Sequence, residues 1–340
     1  METIYETLCT SVDMLDEQYA GIGIQKIQFG TSYLGRPIPA LRLGQGSHRL
    51  LYLGGMTGSI RSAALLLRFV SDYAAAVKDG MRIAGIDISY LQHTRSITVV
   101  PQLNVDGAVL RCDGHDDKNP LTERLLTMTK TENSGTNPFA GWVCSGHGVD
   151  LRYNFDADFA AAMTASHGIG GAGFPGMYPE SEPECAAVAG YLRGAPTTDL
   201  VLVFGEGTDT VGACTGTGQI AWSGADHRTR SLAQILSRDI DGRGYETDSA
   251  GCYGSLGDWY RTLHAGPLLH ITLPCEIPAA DGEGMSDLCP LDGADREQLH
   301  ALLRYGGGTP NDAPGDTLAR AALALQYGKL RKMLFHGAVL

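Results

Sequence analysis

An unbroken apolar run, Leu50-Leu51-Tyr52-Leu53, stops at Gly54-Gly55-Met56-Thr57-Gly58-Ser59, and a second apolar run with helical spacing continues from Ile60 to Val70. This strand, glycine-rich turn and helix are one unit of a longer alternation. Short apolar strands are expected at residues 25–29, 38–43, 50–53, 97–100, 200–204 and 268–273, and helices at residues 3–19 and 181–192. In the leading helix Ile4, Leu8, Val12 and Leu15 fall on one face. The alternation predicts an α/β domain with a largely parallel sheet.

Size and charge restrict the function classes. A chain of 340 residues is long enough for a large core. A formal charge of -12 argues against nucleic acid and against anionic membranes as partners, because neither offers cations to bind. The most apolar helix, residues 63–77, is interrupted by Arg68 and Asp72, so no segment is expected to cross a bilayer. Nothing near Met1 reads as a signal peptide, which predicts a cytoplasmic protein. The 8 cysteines include no Cys-x-x-Cys pair and are expected to be reduced, mostly buried apolar residues.

Local signals place two further features. Ser181 and Glu184 have capping-box spacing, with Pro183 in the first helical turn, which gives this acidic cluster a structural role. Residues 1–306 read as the main domain, closed by a helix at 295–305. Residues 307–340 read as a linker, opening at Gly307-Gly308 and containing Pro310 and Pro314, followed by an added helix over 317–334. Its apolar residues Leu318, Ala322, Leu325 and Met333 need a surface to cover, on this subunit or on a neighbour in an oligomer.

Five segments in order resemble the zinc carboxypeptidases, in particular the bacterial γ-D-glutamyl-diaminopimelate peptidases. They are Leu34-Gly35-Arg36-Pro37-Ile38-Pro39, Val99-Val100-Pro101-Gln102-Leu103-Asn104-Val105-Asp106-Gly107, Gly148-Val149-Asp150-Leu151-Arg152-Tyr153-Asn154-Phe155, Tyr178-Pro179-Glu180-Ser181-Glu182-Pro183-Glu184, and Gly257-Asp258-Trp259. The resemblance implies a mixed eight-stranded sheet flanked by helices, here with a C-terminal helical extension. It also implies a zinc ion held by two histidines and a glutamate, with a second glutamate as general base.

The chain departs from that pattern where the chemistry lies. The His-x-x-Glu positions hold Met56 and Ser59, the third-ligand position holds Phe204, and the general-base position holds Thr272. A thioether is a poor zinc ligand, a hydroxyl would have to ionise, and a phenyl ring ligates nothing. Ser59 is expected instead to cap the helix starting at Ile60. No zinc is therefore expected, although the family carries it. Asp150 matches the carboxylate that orients a metal-bound imidazole; with that partner gone, it is expected to bond local backbone. Arg152 and Tyr153 stand at the substrate-carboxylate clamp, with Arg152 one position early. Tyr253 is a stand-in for the family's mobile tyrosine, whose position falls on Ala250. A rebuilt metal site would draw on Glu206, Asp209 or His270, with His270 expected on the strand face opposite Thr272.

The sequence thus predicts a non-catalytic carboxypeptidase-like protein whose cleft binds a peptide or a cell-wall peptide fragment. The alternatives are an active metallopeptidase with a rebuilt site, and an interaction subunit of an active relative.

Overall fold

The computed structural model describes residues 2–114, 120–129, 137–194, 197–205, 219–223, 227–240, 243–247, 253–263, 266–273, 300–304 and 317–340. Helix α1 (Ile4–Gln18) starts with a capping box. The Thr3 hydroxyl accepts from Glu6 N, and the Glu6 carboxylate accepts from Thr3 N. Its Ile4, Leu8, Val12 and Leu15 are buried, as their spacing requires.

The main sheet has eight strands: β1 (Ile24–Thr31), β2 (Pro37–Leu43), β3 (His48–Leu53), β6 (Arg95–Val100), β7 (Leu200–Gly205), β8 (Gln219–Ser223), β9 (Arg243–Thr247) and β10 (Leu268–Thr272). Their order is β1-β2-β6-β3-β7-β10-β8-β9, and β4 (Arg82–Ile83) and β5 (Ile86–Asp87) form a separate pair. The centre, β6-β3-β7-β10, is parallel, while β1–β2, β2–β6 and β10–β8 are antiparallel. Strands β3 and β7 sit in the middle of the sheet and are buried on both faces, which explains their unbroken apolar runs.

Helices α2 (Arg61–Asp79), α3 (Ile88–Thr94), α4 (Val105–Asp113), α5 (Pro120–Thr129), α6 (Phe159–Ala165), α7 (Pro183–Arg193), α8 (His227–Asp239), α9 (Leu256–Thr262) and α10 (Thr317–Val339) accompany the sheet. The surface that α10 covers belongs to this same chain. Tyr52 of β3 donates to the Leu334 carbonyl at 2.7 Å, and Phe335 packs on Phe69 of α2 with ring centroids 4.9 Å apart. Polar clasps flank this contact. Tyr327 and Arg331 reach Asp72 of α2, Lys332 and His336 reach Asp239 of α8, and Arg95 of β6 donates to the carbonyls of Ala338 and Val339. Leu330, Met333, Leu334 and Phe335 are fully buried in the main core. The expected linker, and the side chains of Leu318, Ala322 and Leu325, lie outside the described residues.

The capping box expected at Ser181 is not formed. Helix α7 begins at Pro183 with Glu182 as its N-cap, and no side chain caps it. Ser181 Oγ instead accepts from Asn154 Nδ2 and donates to Glu182, while Glu184 accepts from Tyr33 N. Partners distant in sequence outcompete the local cap. Of the cysteines, Cys9 and Cys112 are half-buried and Cys144 and Cys185 buried, all as free thiols; the other four lie outside the described residues.

Candidate functional site

Because β3, β7 and β10 are parallel neighbours, their C-terminal ends share one sheet edge, where ligands of open α/β sheets bind. The turn after β3 carries Met56 and Ser59, the end of β7 carries Phe204, and β10 ends at Thr272. The topology therefore places at one sheet edge, though not on one face, all four positions that the resemblance assigns to zinc and base.

The turn is rigidly framed. Gly55 adopts φ 61°, and a Cβ on Gly58 would lie 2.6 Å from the Gly107 carbonyl oxygen and 2.9 Å from that of Trp142. Buried amides hold its carbonyls. Gln102 Nε2 donates to Gly55, Thr57 and Asn104, and Asn104 Nδ2 donates to Met56 and Cys144. Gln102 and Asn104 are structural residues that sequence reasoning passed over. Their signal was two amide side chains at the end of an apolar strand.

The donors themselves do not suit a zinc ion. Met56 is buried with the main core. Helix α2 starts at Arg61, one residue later than expected, with Ile60 as N-cap. Ser59 Oγ accepts from Arg61 N at 3.4 Å, so it still serves the first turn. Phe204 is buried and packs on Tyr52, ring centroids 6.0 Å apart, on the face covered by α2 and α10. Register pairs Phe204 with Ile271 and Thr272 with Gly205, so strand alternation puts Thr272 on the opposite face from Phe204. Among the described residues no group of three or more His, Cys, Asp or Glu side chains could hold a metal.

The expectation for His270 needs correction. His270 lies two residues from Thr272 in β10, and both are half-buried while Leu269 and Ile271 are buried, so His270 shares the Thr272 face. Burial pushes its imidazole down to about 4, which keeps it neutral. Glu206, Asp209 and Ala250 lie outside the described residues.

Arg152, expected at the substrate clamp, is engaged by Asp150. Its Nε donates to Asp150 Oδ1 at 2.8 Å and its Nη2 to Asp150 Oδ2 at 2.7 Å. Burial opposes the guanidinium charge, but the Asp150 charge and hydrogen bonds outweigh it and raise the Arg152 pKa further. Asp150 also accepts from the backbone of Arg152 and Gly173, so the expected local backbone bonds are present, with the guanidinium added. Tyr153 and Tyr253 are both half-buried, and their backbone segments run side by side. Phe155 N donates to Gly254 O, and a Cβ on Gly254 would lie 2.2 Å from the Tyr153 carbonyl oxygen. The Arg152 guanidinium lies 5.5 Å from the Tyr153 ring centroid.

Beside this region lies a carboxylate cluster. Glu182 is buried and accepts from Ser145 Oγ at 2.8 Å, and it pairs with His147 Nδ1 at 3.0 Å. That imidazole stacks on Tyr33 at 4.1 Å. Asp106 is buried and pairs with Arg36, and Glu184 is buried nearby.

Comparison with known proteins is consistent with this architecture. A model of the zinc carboxypeptidase family matches residues 10–254. The chain is 24% identical over 260 residues to gamma-D-glutamyl-L-diamino acid endopeptidase 1 of Lysinibacillus sphaericus, covering 75% of this chain and 61% of that protein. It is 24% identical over 192 residues to the uncharacterized protein YqgT of Bacillus subtilis strain 168, covering 54% and 48%. The matches thus span less than two thirds of either relative. Among solved structures, bovine thrombin-activatable fibrinolysis inhibitor matches with a TM-score of 0.57 and 16% identity over 94% of this chain and 97% of that one. Carboxypeptidase A from Helicoverpa armigera matches with a TM-score of 0.55 and 16% identity over 92% and 71%. These structural likenesses concern the fold alone.

Proposed function

We propose that this chain, which belongs to the zinc carboxypeptidase family, is a non-catalytic member that uses the family's sheet edge to bind a peptide rather than to cut one. The observation that carries this reading is the donor set at the edge: thioether, hydroxyl, phenyl ring and threonine where two imidazoles and two carboxylates are required. Without a metal to polarise a carbonyl and ionise a water, and without a carboxylate to take the proton, hydrolysis has no agent.

The ligand class follows from the relative named for gamma-D-glutamyl-L-diamino acid cleavage. A cell-wall peptide stem, with its several carboxylates, is the proposed ligand. Because Arg152 is already engaged by Asp150, recognition falls to Tyr153 and Tyr253, whose segments meet beside it.

The test is elemental analysis of the purified full chain, followed by hydrolysis assays on γ-D-glutamyl-diaminopimelate and C-terminal peptide substrates with and without added zinc. The reading expects substoichiometric zinc and no chelator-sensitive cleavage. Near-equimolar zinc with cleavage abolished by chelator would overturn it in favour of a rebuilt site using Glu206, Asp209 or His270. Thermal-shift titration with cell-wall tripeptides tests the ligand class. No shift from any of them would leave the interaction-subunit reading, to be pursued by pull-down with an active relative.

A further inference from the structure

Asp150 is fully buried and Arg152 nearly so, with side-chain exposures of 0% and 13%. A buried carboxylate must be paired and hydrogen-bonded or it loses its charge. In the arrangement that the resemblance implies, the partner of this carboxylate is an imidazole that is itself bound to zinc. Neither Met56 nor Phe204, which hold the two imidazole positions, can donate to it.

The local geometry fills the gap. Oδ1 accepts from Arg152 N at 3.2 Å and Arg152 Nε at 2.8 Å; Oδ2 accepts from Arg152 Nη2 at 2.7 Å and Gly173 N at 2.8 Å. An ionised carboxylate offers about four lone-pair sites. All are taken, and the guanidinium binds with both prongs of its planar fork, the strongest form of this pairing.

We infer that Arg152 is a built-in replacement for the metal-bound imidazole: an internal cation that takes over its carboxylate and makes the site refractory to metal. Two effects combine. The acceptor that would orient an incoming imidazole is consumed, and the guanidinium adds a fixed positive charge directly against that carboxylate, which opposes a divalent cation held through it. The one-residue displacement of arginine from the family's clamp position thereby acquires a physical purpose. This inference rests on the non-catalytic reading above and explains what stabilises the site once the metal is lost.

The test restores part of the ligand set in two backgrounds. Met56→His/Ser59→Glu is prepared with Arg152 retained and with Arg152→Asn added, position 204 being left unchanged because its ring lies in the core. Zinc affinity is measured by competition titration, and cobalt is used as a visible-absorbing probe. With Arg152 retained, zinc should bind no better than to the parent. Adding Arg152→Asn should raise affinity by about tenfold or more, the usual weight of an orienting partner, and should bring up cobalt absorption. Equal affinities in the two backgrounds would overturn the inference. If Arg152→Asn does not fold, Arg152→Gln, which removes the charge but keeps a donor, carries the same comparison. Stoichiometric zinc in the unmodified chain would sink the non-catalytic reading itself, whereas the Arg152 effect is judged only on the difference between variants.

Discussion

Glu184 shows how far a residue's role can depart from its sequence context. It was legible as a capping residue; instead it is buried, with one carboxyl oxygen accepting from Tyr33 N at 3.0 Å and the other without a hydrogen-bond partner. Burial pushes its carboxyl from 4.5 up to about 8, and the neighbouring charges of Asp106 and Glu182 push the same way against the backbone donors. The folded chain therefore keeps a proton that the unfolded chain sheds across this window, so this group's contribution to stability falls as pH rises from 4.5 to about 8. Glu184→Gln should raise the melting temperature relative to the parent by more at pH 8 than at pH 5, by about a few degrees. Equal differences at both pH values would show that the carboxyl ionises freely. His270 acts with the opposite sign. Its pKa is lowered by burial from 6.5 to about 4, so its contribution is complete above 6.5 and is lost as pH falls toward 4. His270→Gln should flatten the acid side of the stability profile, and an unchanged acid limb would refute that. The assignment of Met56, Ser59 and Phe204 to ligand positions rests on motif spacing along the chain. The engagement of Arg152 with Asp150 was not readable, because a shift of one residue does not reveal where the fork points.

At the scale of elements, hydrophobic period and chain order predicted the α/β class and the strands β1, β2, β3, β6, β7 and β10, but not β8 and β9 nor the helices α3–α6, α8 and α9. What also failed was local chemistry at the ends. The capping box sits at Thr3 and Glu6, not at Ser181 and Glu184, because residues 181–184 find buried partners on Tyr33, Asn154 and Ser145. Sequence spacing records a residue's neighbours along the chain and is silent about such distant competitors. The C-terminal helix was recognised, but not the face it covers. Its Phe335 is fully buried against Phe69, and Tyr52 is hydrogen-bonded beside it. Phe335→Ala should cost about 3–5 kcal/mol, the range for emptying an aromatic site in a core. Denaturant unfolding measures this directly, and a loss below about 1 kcal/mol would mean that α10 is only loosely seated.

For the whole molecule, the question is whether residue 306 is a boundary. Composition suggested one there, but the packing crosses it. Ile4 and Leu15 of α1, the central strands, Phe69 of α2 and Phe335 of α10 belong to one continuous buried cluster. Only a small group, Leu110, Leu125, Phe139, Trp142 and Cys144, packs separately among the described residues. Further ties join distant parts of the chain: Thr7 to His300 at 2.5 Å, Arg304 to Glu2 at 2.8 Å, and Arg95 to the carbonyls that end α10. Elements that share one core lose their apolar contacts together, so they should unfold together. Calorimetry should show a single transition whose calorimetric and van't Hoff enthalpies agree. A chain truncated after residue 306 would expose the α2 and β3 surface under α10, including Tyr52 and Phe69, and should lose cooperative unfolding at ambient temperature. If the truncated chain instead keeps the parent's transition, or the full chain melts in two resolved steps, the C-terminal helix is an appended unit and its docking contributes little to the fold.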